Sequence, residues 1–207
     1  MIDDVTPWPP LIHKVHFKGE LDPAIRRIRK NALLIDPNRG VMKGGGKTSA
    51  GDDDMPHLWP EFDEFMNWLK PSVEKLWTDV YKLTPADLNV FKSWTNITKS
   101  SGYVEEHDHG GCHFAVSMYL EKPEGSGDIQ FRNMNLPLNA NTPKDGKANG
   151  INDYFTEVKA VTGDALIFPG WLPHRVPANP TDKERIVFSF NVHGVSPGSP
   201  IIIGDKG

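Results

Sequence analysis

The chain has 207 residues, a formal net charge of −4 and 38% hydrophobic residues. That length fills one core well and is short for two, and the apolar content excludes a largely disordered chain. No apolar run approaches the ~20 residues of a membrane-spanning helix, and the acidic balance disfavours a broad phosphate-binding surface and hence a nucleic-acid partner.

The start, Met1-Ile2-Asp3-Asp4-Val5, has neither a basic nor an apolar leader segment, so no secretory signal is expected. Residues 11–17 read as a first strand. Asp22-Pro23 reads as an N-cap followed by proline at the first helical position. Ile25, Ile28 and Ala32 follow at helical spacing, and Arg26, Arg27, Arg29 and Lys30 make a solvated face. Residues 39–60 are expected to be loop. The run Gly44-Gly45-Gly46-Lys47-Thr48 superficially suggests a phosphate loop, but Val41 stands where the first glycine of that motif belongs. Phe62, Phe65, Met66, Leu69, Val73, Leu76, Trp77 and Val80 recur at three- and four-residue steps. They predict an amphipathic helix, or two helices broken at Pro71, with the aromatic stripe packed on a sheet.

From Leu88 the period changes to two. Val90 to Thr98 is a strand, and in the next Phe114, Val116, Met118 and Leu120 share one face opposite His113, Ala115, Ser117 and Tyr119. The lone Cys112 cannot form an internal disulfide, which suits a reducing cytoplasm. Ile129 and Phe131 mark another strand, residues 133–152 a long polar loop, and 154–161, 165–168 and 185–193 three more strands. Helices first and strands after, with many turns, predict a mainly β, antiparallel core with helices packed outside. The division is one domain over residues 1–207: a helix-rich flank (1–85), a β core (86–195) and a tail (196–207).

The chemistry concentrates in three places. Glu105-Glu106-His107-Asp108-His109 would put His107 and His109 on one face of a strand, with Glu105, while Asp108 points away. Taken alone, two solvated histidines account for it equally well. An apolar strand then runs through Phe168-Pro169-Gly170-Trp171-Leu172-Pro173 to His174. Finally, Arg185, Val187, Ser189 and Asn191 form one face of the last strand, and a strand-start arginine can grip a carboxylate through two parallel hydrogen bonds.

In this order the stretches resemble the 2-oxoglutarate/Fe(II)-dependent oxygenase superfamily, most of all members from marine bacteria and phages. The likeness rests on His107-Asp108-His109, Ala115 to Leu120, Gly127 to Phe131, Phe168 to Val176 and Arg185 to Asn191, covering roughly residues 90–193. It implies a double-stranded β-helix, or jelly roll, in the β core. It implies a dioxygenase (hydroxylase) coupling oxidative decarboxylation of 2-oxoglutarate to oxidation of a small-molecule or peptide substrate, with Fe(II) and 2-oxoglutarate as cofactors and ascorbate as accessory reductant. His107 and His174 would bind iron, with His109 third. Arg185 would hold the distal carboxylate of 2-oxoglutarate, helped by Ser189, with Asn96 nearby. Tyr103 and Trp171 would line the entrance, and the loops at 44–57 and 133–152 would be lids.

Two departures stand out. His109 replaces the usual Asp or Glu, leaving three neutral imidazoles around the metal, with Glu105 as a further partner or occasional ligand. Val187 replaces the serine of the usual Arg-x-Ser pairing. Two other readings use the same residues: a three-histidine cupin-type dioxygenase without 2-oxoglutarate, which gives Arg185 no task, and a non-catalytic jelly-roll binding module with inert histidines.

Overall fold

A computed structural model of the chain describes residues 11–31, 34–35, 38, 40–50, 54–83, 86–134, 153–195 and 197. Its elements are β1 (His13–His16), α1 (Asp22–Arg29), β2 (Met42–Lys43), β3 (Gly46–Thr48), α2 (Asp63–Lys75, continued by a π turn at Leu76–Val80), β4 (Asp87–Thr98), β5 (Tyr103–His107), β6 (Phe114–Glu121), β7 (Ile129–Arg132), β8 (Phe155–Val158), β9 (Asp164–Pro169), β10 (His174–Val176) and β11 (Arg185–Val195). The strands form two antiparallel sheets. The larger runs β1-β9-β6-β11-β4-β3 and the smaller β2-β5-β10-β7-β8.

The period-two pattern has its physical outcome in two cores. On β6 and β11, Val116, Met118, Leu120, Ile186, Phe188 and Phe190 turn outward, toward the helices, and pack with Ile28, Phe62, Phe65, Leu69 and Trp77. Ala115 and Tyr119 turn the other way and join Phe131, Leu166, Phe168 and Leu172 between the sheets. Every face of the larger sheet is therefore covered, as a sandwich with flanking helices requires.

The N-terminal flank is less purely helical than its sequence suggests. β1 pairs with β9, from His13 opposite Ile167 to His16 opposite Asp164. The stretch expected to be loop at 39–60 holds the β2 and β3 strands. β3 extends the large sheet along β4, and β2 extends the small sheet along β5. Gly46 makes this close approach possible: at φ +132° it lies against the Ile97 carbonyl, where any Cβ would collide. The glycine run thus links two short strands that belong to different sheets. Helix α2 passes through Pro71 without breaking. Pro71 is exposed, and its apolar neighbours Leu69 and Val73 stay buried on the sheet. Asp22 is the first helical residue of α1, after Leu21 as N-cap. Arg29 of the basic cluster pairs with Glu184 and Glu121, and Arg27 lies over the Trp59 ring.

Candidate metal and cosubstrate site

The two sheets enclose a cavity of about 410 Å³. Its larger-sheet wall is set by strand register. β11 lies antiparallel to β4, with Arg185 opposite Thr98, Val187 opposite Asn96, Ser189 opposite Trp94 and Asn191 opposite Lys92. On the other side of β11, Val187 lies opposite Tyr119 and Ser189 opposite Ser117. All these side chains line the cavity. Alternation along β11 and β4 therefore lays down successive levels, from Arg185 and Thr98 at one end to Asn191 and Lys92 at the other.

The smaller sheet brings in the histidines. His174 on β10 lies directly opposite His107 on β5. β5 ends at His107, so His109 stands in the following turn rather than farther along the strand. That turn is fixed by the His109 amide, which donates to the Gly170 carbonyl at 2.7 Å. The three imidazoles offer nitrogens all within 4.8 Å of one another, the one such group of three or more His, Cys, Asp or Glu among the described residues.

Hydrogen bonds on the far side of each ring decide which nitrogen faces inward. Nδ1 of His107 lies 2.8 Å from the Glu105 carbonyl, Nδ1 of His174 lies 3.0 Å from the Leu172 carbonyl, and Nδ1 of His109 lies 2.8 Å from Oδ1 of Asn191. Each acceptor requires a protonated Nδ1, which leaves Nε2 as a bare lone pair in the neutral ring. Nε2 of His109 and Nε2 of His174 then face each other at 3.3 Å, with no proton between them. Burial, and then repulsion between the rings, keeps them neutral. Burial chiefly lowers His107 below the ordinary histidine value; His109 falls to about 4 and His174 to about 3. Three converging lone pairs lack a partner that a divalent cation would provide, and three nitrogen ligands suit iron or zinc.

At the other end, Arg185 is only 2% exposed. One of its nitrogens, Nη1, donates to the Ser126 and Gly127 carbonyls, and no carboxylate among the described residues forms an ion pair with the guanidinium. Asp128, the acid whose charge acts on it, is held by Lys122 at 3.0 Å. A buried, uncompensated cation facing a cavity calls for an anion. Tyr119 stands beside it, and burial above all pushes its phenol well up, so it stays a neutral donor.

His107, His109, His174, Arg185, Ser189 and Asn96 all line this one cavity, and Asn96 Oδ1 accepts from Thr48 Oγ1 at 2.5 Å. Tyr103 does not line it. It lies in a surface groove with Glu105 and Arg175. Trp171 is 52% exposed and also lies outside the cavity lining. Glu105 serves the site through its carbonyl only; its carboxylate reaches Lys43 at 3.8 Å. Asp108 does line the cavity, because strand alternation has ended before it, but its carboxylate is not part of the histidine cluster. Of the two expected lids, Thr48 and Ala50 of the first line the cavity, and residues 135–152 of the second lie outside the described residues. Asn191, Tyr119 and Trp94 are site residues that the sequence reading left unassigned. The alternating faces of β4, β6 and β11 are the signal that would have found them.

Fold and site together define a jelly-roll protein with a histidine-lined metal cavity and a buried arginine at its base. Residues 92–191 match the family model described as "Putative 2OG-Fe(II) oxygenase". No curated protein matches the chain in sequence. The fold is that of a Pseudomonas putida prolyl-4-hydroxylase, at 14% identity over 90% of this chain and 93% of that one, with TM-score 0.56. It is also that of a viral collagen prolyl hydroxylase from Paramecium Bursaria Chlorella virus-1 in its 2-oxoglutarate complex, at 14% identity over 90% and 97%, with TM-score 0.57. HygX from Streptomyces hygroscopicus, with nickel, 2-oxoglutarate and hygromycin B bound, aligns at 13% identity over 88% and 82%, with TM-score 0.58. Just under half of the chain, residues 92–191, is thus similar to the 2-oxoglutarate/Fe(II)-dependent oxygenase family, and the solved structures share its fold. No helix among the described residues is long and apolar enough to cross a membrane.

Proposed function

We propose that His107, His109 and His174 hold the ferrous ion through Nε2, and that Arg185 receives the distal carboxylate of 2-oxoglutarate. The carrying observation is that a buried guanidinium without an acidic partner lines the same cavity as three unpartnered imidazole nitrogens. Arg185 and Asn191 stand six residues apart on β11, about 20 Å of backbone. 2-Oxoglutarate would lie in the cavity they share, with one end on the guanidinium and the 2-oxo acid end on the metal. A three-histidine enzyme without 2-oxoglutarate would leave Arg185 buried with nothing to neutralise it.

The reaction consumes 2-oxoglutarate, dioxygen and a substrate C–H, and yields succinate, carbon dioxide and a C–OH. Bound iron supplies the redox chemistry. The protein's own residues supply the rest. Arg185, through the two nitrogens left free by its carbonyl contacts, and the Tyr119 phenol orient the diacid. Ser189, Ser117 and Asn96 offer hydroxyl and amide contacts along its length. The Nδ1 acceptors hold the three rings in the one tautomer that can bind a cation, and the apolar walls limit water around the reacting centre. Ferrous iron and the single thiol, Cys112, suit a reducing, cytoplasmic setting, and the open mouth admits a small molecule or peptide.

The test is 2-oxoglutarate titration into the zinc-loaded Arg185→Met variant. The variant should keep its metal and bind 2-oxoglutarate about thirtyfold to several thousandfold more weakly, because removing one partner of a desolvated charge pair costs about 2–5 kcal/mol. Parent-like affinity would remove Arg185 from the role.

A further inference from the structure

The mouth of the cavity carries two charges of opposite sign that the metal and the diacid do not use. Lys92 on β4 and Asp108 in the β5–β6 turn both line the cavity and both are exposed. Neither makes an ion pair with the other or with any described residue. Lys92 shares the inward face of β4 with Trp94 and Asn96, and lies opposite Asn191, whose amide holds His109. It is therefore one pleat outward of Trp94, whose ring stacks on the His109 ring at 5.5 Å and 19°. Asp108 is the residue before His109, so the two charges flank one metal ligand from two different elements. Their fields reach the triad: Asp108 acts on His107 and His109, and Lys92 on His109. The same cavity is also lined by apolar and aromatic side chains, Val41, Ala50, Phe91 and Trp94 among them.

A cation and an anion held apart over an aromatic platform, close to the metal, complement a small zwitterion with an apolar body. Resting on the oxygenase reading above, we propose that the substrate is a free α-amino acid, its carboxylate on Lys92, its ammonium on Asp108 and its apolar body against Trp94 and Phe91. The bond replaced is then a C–H of that body, beyond the α-carbon. It becomes C–OH with one oxygen atom of dioxygen, and the other enters succinate as 2-oxoglutarate loses carbon dioxide.

The experiment measures succinate release by the iron-loaded enzyme with 2-oxoglutarate and each of the twenty common L-amino acids, together with their methyl esters and N-acetyl derivatives. At least one free amino acid should raise succinate release tenfold or more over the level without it, and yield a product 16 mass units heavier. Its methyl ester and its N-acetyl derivative, each lacking one charge, should not. In Lys92→Met and Asp108→Asn, which keep the side-chain shapes, the KM for that amino acid should rise tenfold or more. Iron- and 2-oxoglutarate-dependent succinate release that no amino acid stimulates overturns the substrate and leaves the oxygenase standing. Stimulation that survives esterification and both substitutions also overturns it. Failure to bind 2-oxoglutarate at all removes both readings together.

Discussion

In the proposed metal site, His109 is the histidine whose orientation depends on another residue's side group. His107 and His174 give their Nδ1 protons to backbone carbonyls, which no substitution removes, whereas His109 depends on Oδ1 of Asn191 at 2.8 Å. Without that acceptor the ring is free to turn or to adopt the other tautomer. Asn191→Ala should weaken metal binding about 10- to 100-fold. Asn191→Asp should restore or tighten it, because a carboxylate accepts the same proton and adds the negative charge that the triad lacks. Competition for zinc against a chelator measures both, and parent-like affinity in Asn191→Ala would reduce Asn191 to wall packing. His109→Asp should also retain metal, since a carboxylate there supplies the ligand more usual for the superfamily; complete loss would mean that the turn accepts an imidazole only. The three histidines and Arg185 stood out in the sequence by residue type and order, and all four line one cavity. Asn191 did not stand out, although it lies on the same face as Arg185, because an asparagine near a strand end carries no mark of its partner. Tyr103 and Trp171 were expected at the entrance because an aromatic beside a motif looks like one; neither lines the cavity, since the pleat and the turn decide where each ring goes.

Strands were legible where alternation was long. β4, β6 and β11 run 12, 8 and 11 residues and declare two faces each. β2, β3 and β10 have 2, 3 and 3 residues, too few for a period, and their pairing is set by the strands they meet. β10 nevertheless carries His174, so its placement matters. The Pro-Gly turn before it is tied to the His109 turn in both directions: Gly170 accepts from the His109 amide at 2.7 Å and donates to the His113 carbonyl at 3.1 Å. A Cβ on Gly170 would fall on the Cys112 sulfur and lie 2.8 Å from the His109 carbonyl oxygen. Gly170→Ala must push those turns apart, at a cost of about 1–3 kcal/mol for such overpacking. Thermal melting of the variant should drop accordingly, and its zinc affinity should drop with it, since His109 moves with the turn. An unchanged zinc affinity in a destabilised variant would separate the turn's role in folding from any role in holding the metal.

At the scale of the whole molecule, the metal centre ties stability to pH. The metal-free protein folds three imidazoles into a space where burial and mutual repulsion keep them neutral, with His109 at about 4 and His174 at about 3. In the unfolded state each titrates near 6.5. Above that value neither state binds the protons and the full stability is present. As pH falls below 6.5 the unfolded state takes up protons that the folded state refuses, so stability declines by about 1.4 kcal/mol per pH unit for each histidine. The decline continues until the folded rings themselves titrate near 4 and 3. Urea midpoints of the metal-free protein should therefore fall steeply between pH 7 and pH 5. A His109→Gln/His174→Gln double variant should show a much flatter dependence over the same window. Metal acts in the opposite direction. At a free concentration of 100 times Kd it adds about 2.7 kcal/mol at neutral pH, and the gain should shrink on acidification as protons compete for the same lone pairs. Equal pH dependence in parent and double variant would place the acid sensitivity elsewhere, in carboxylates such as Glu184, whose pairing with Arg29 and Lys99 outweighs its burial and holds it below its ordinary value.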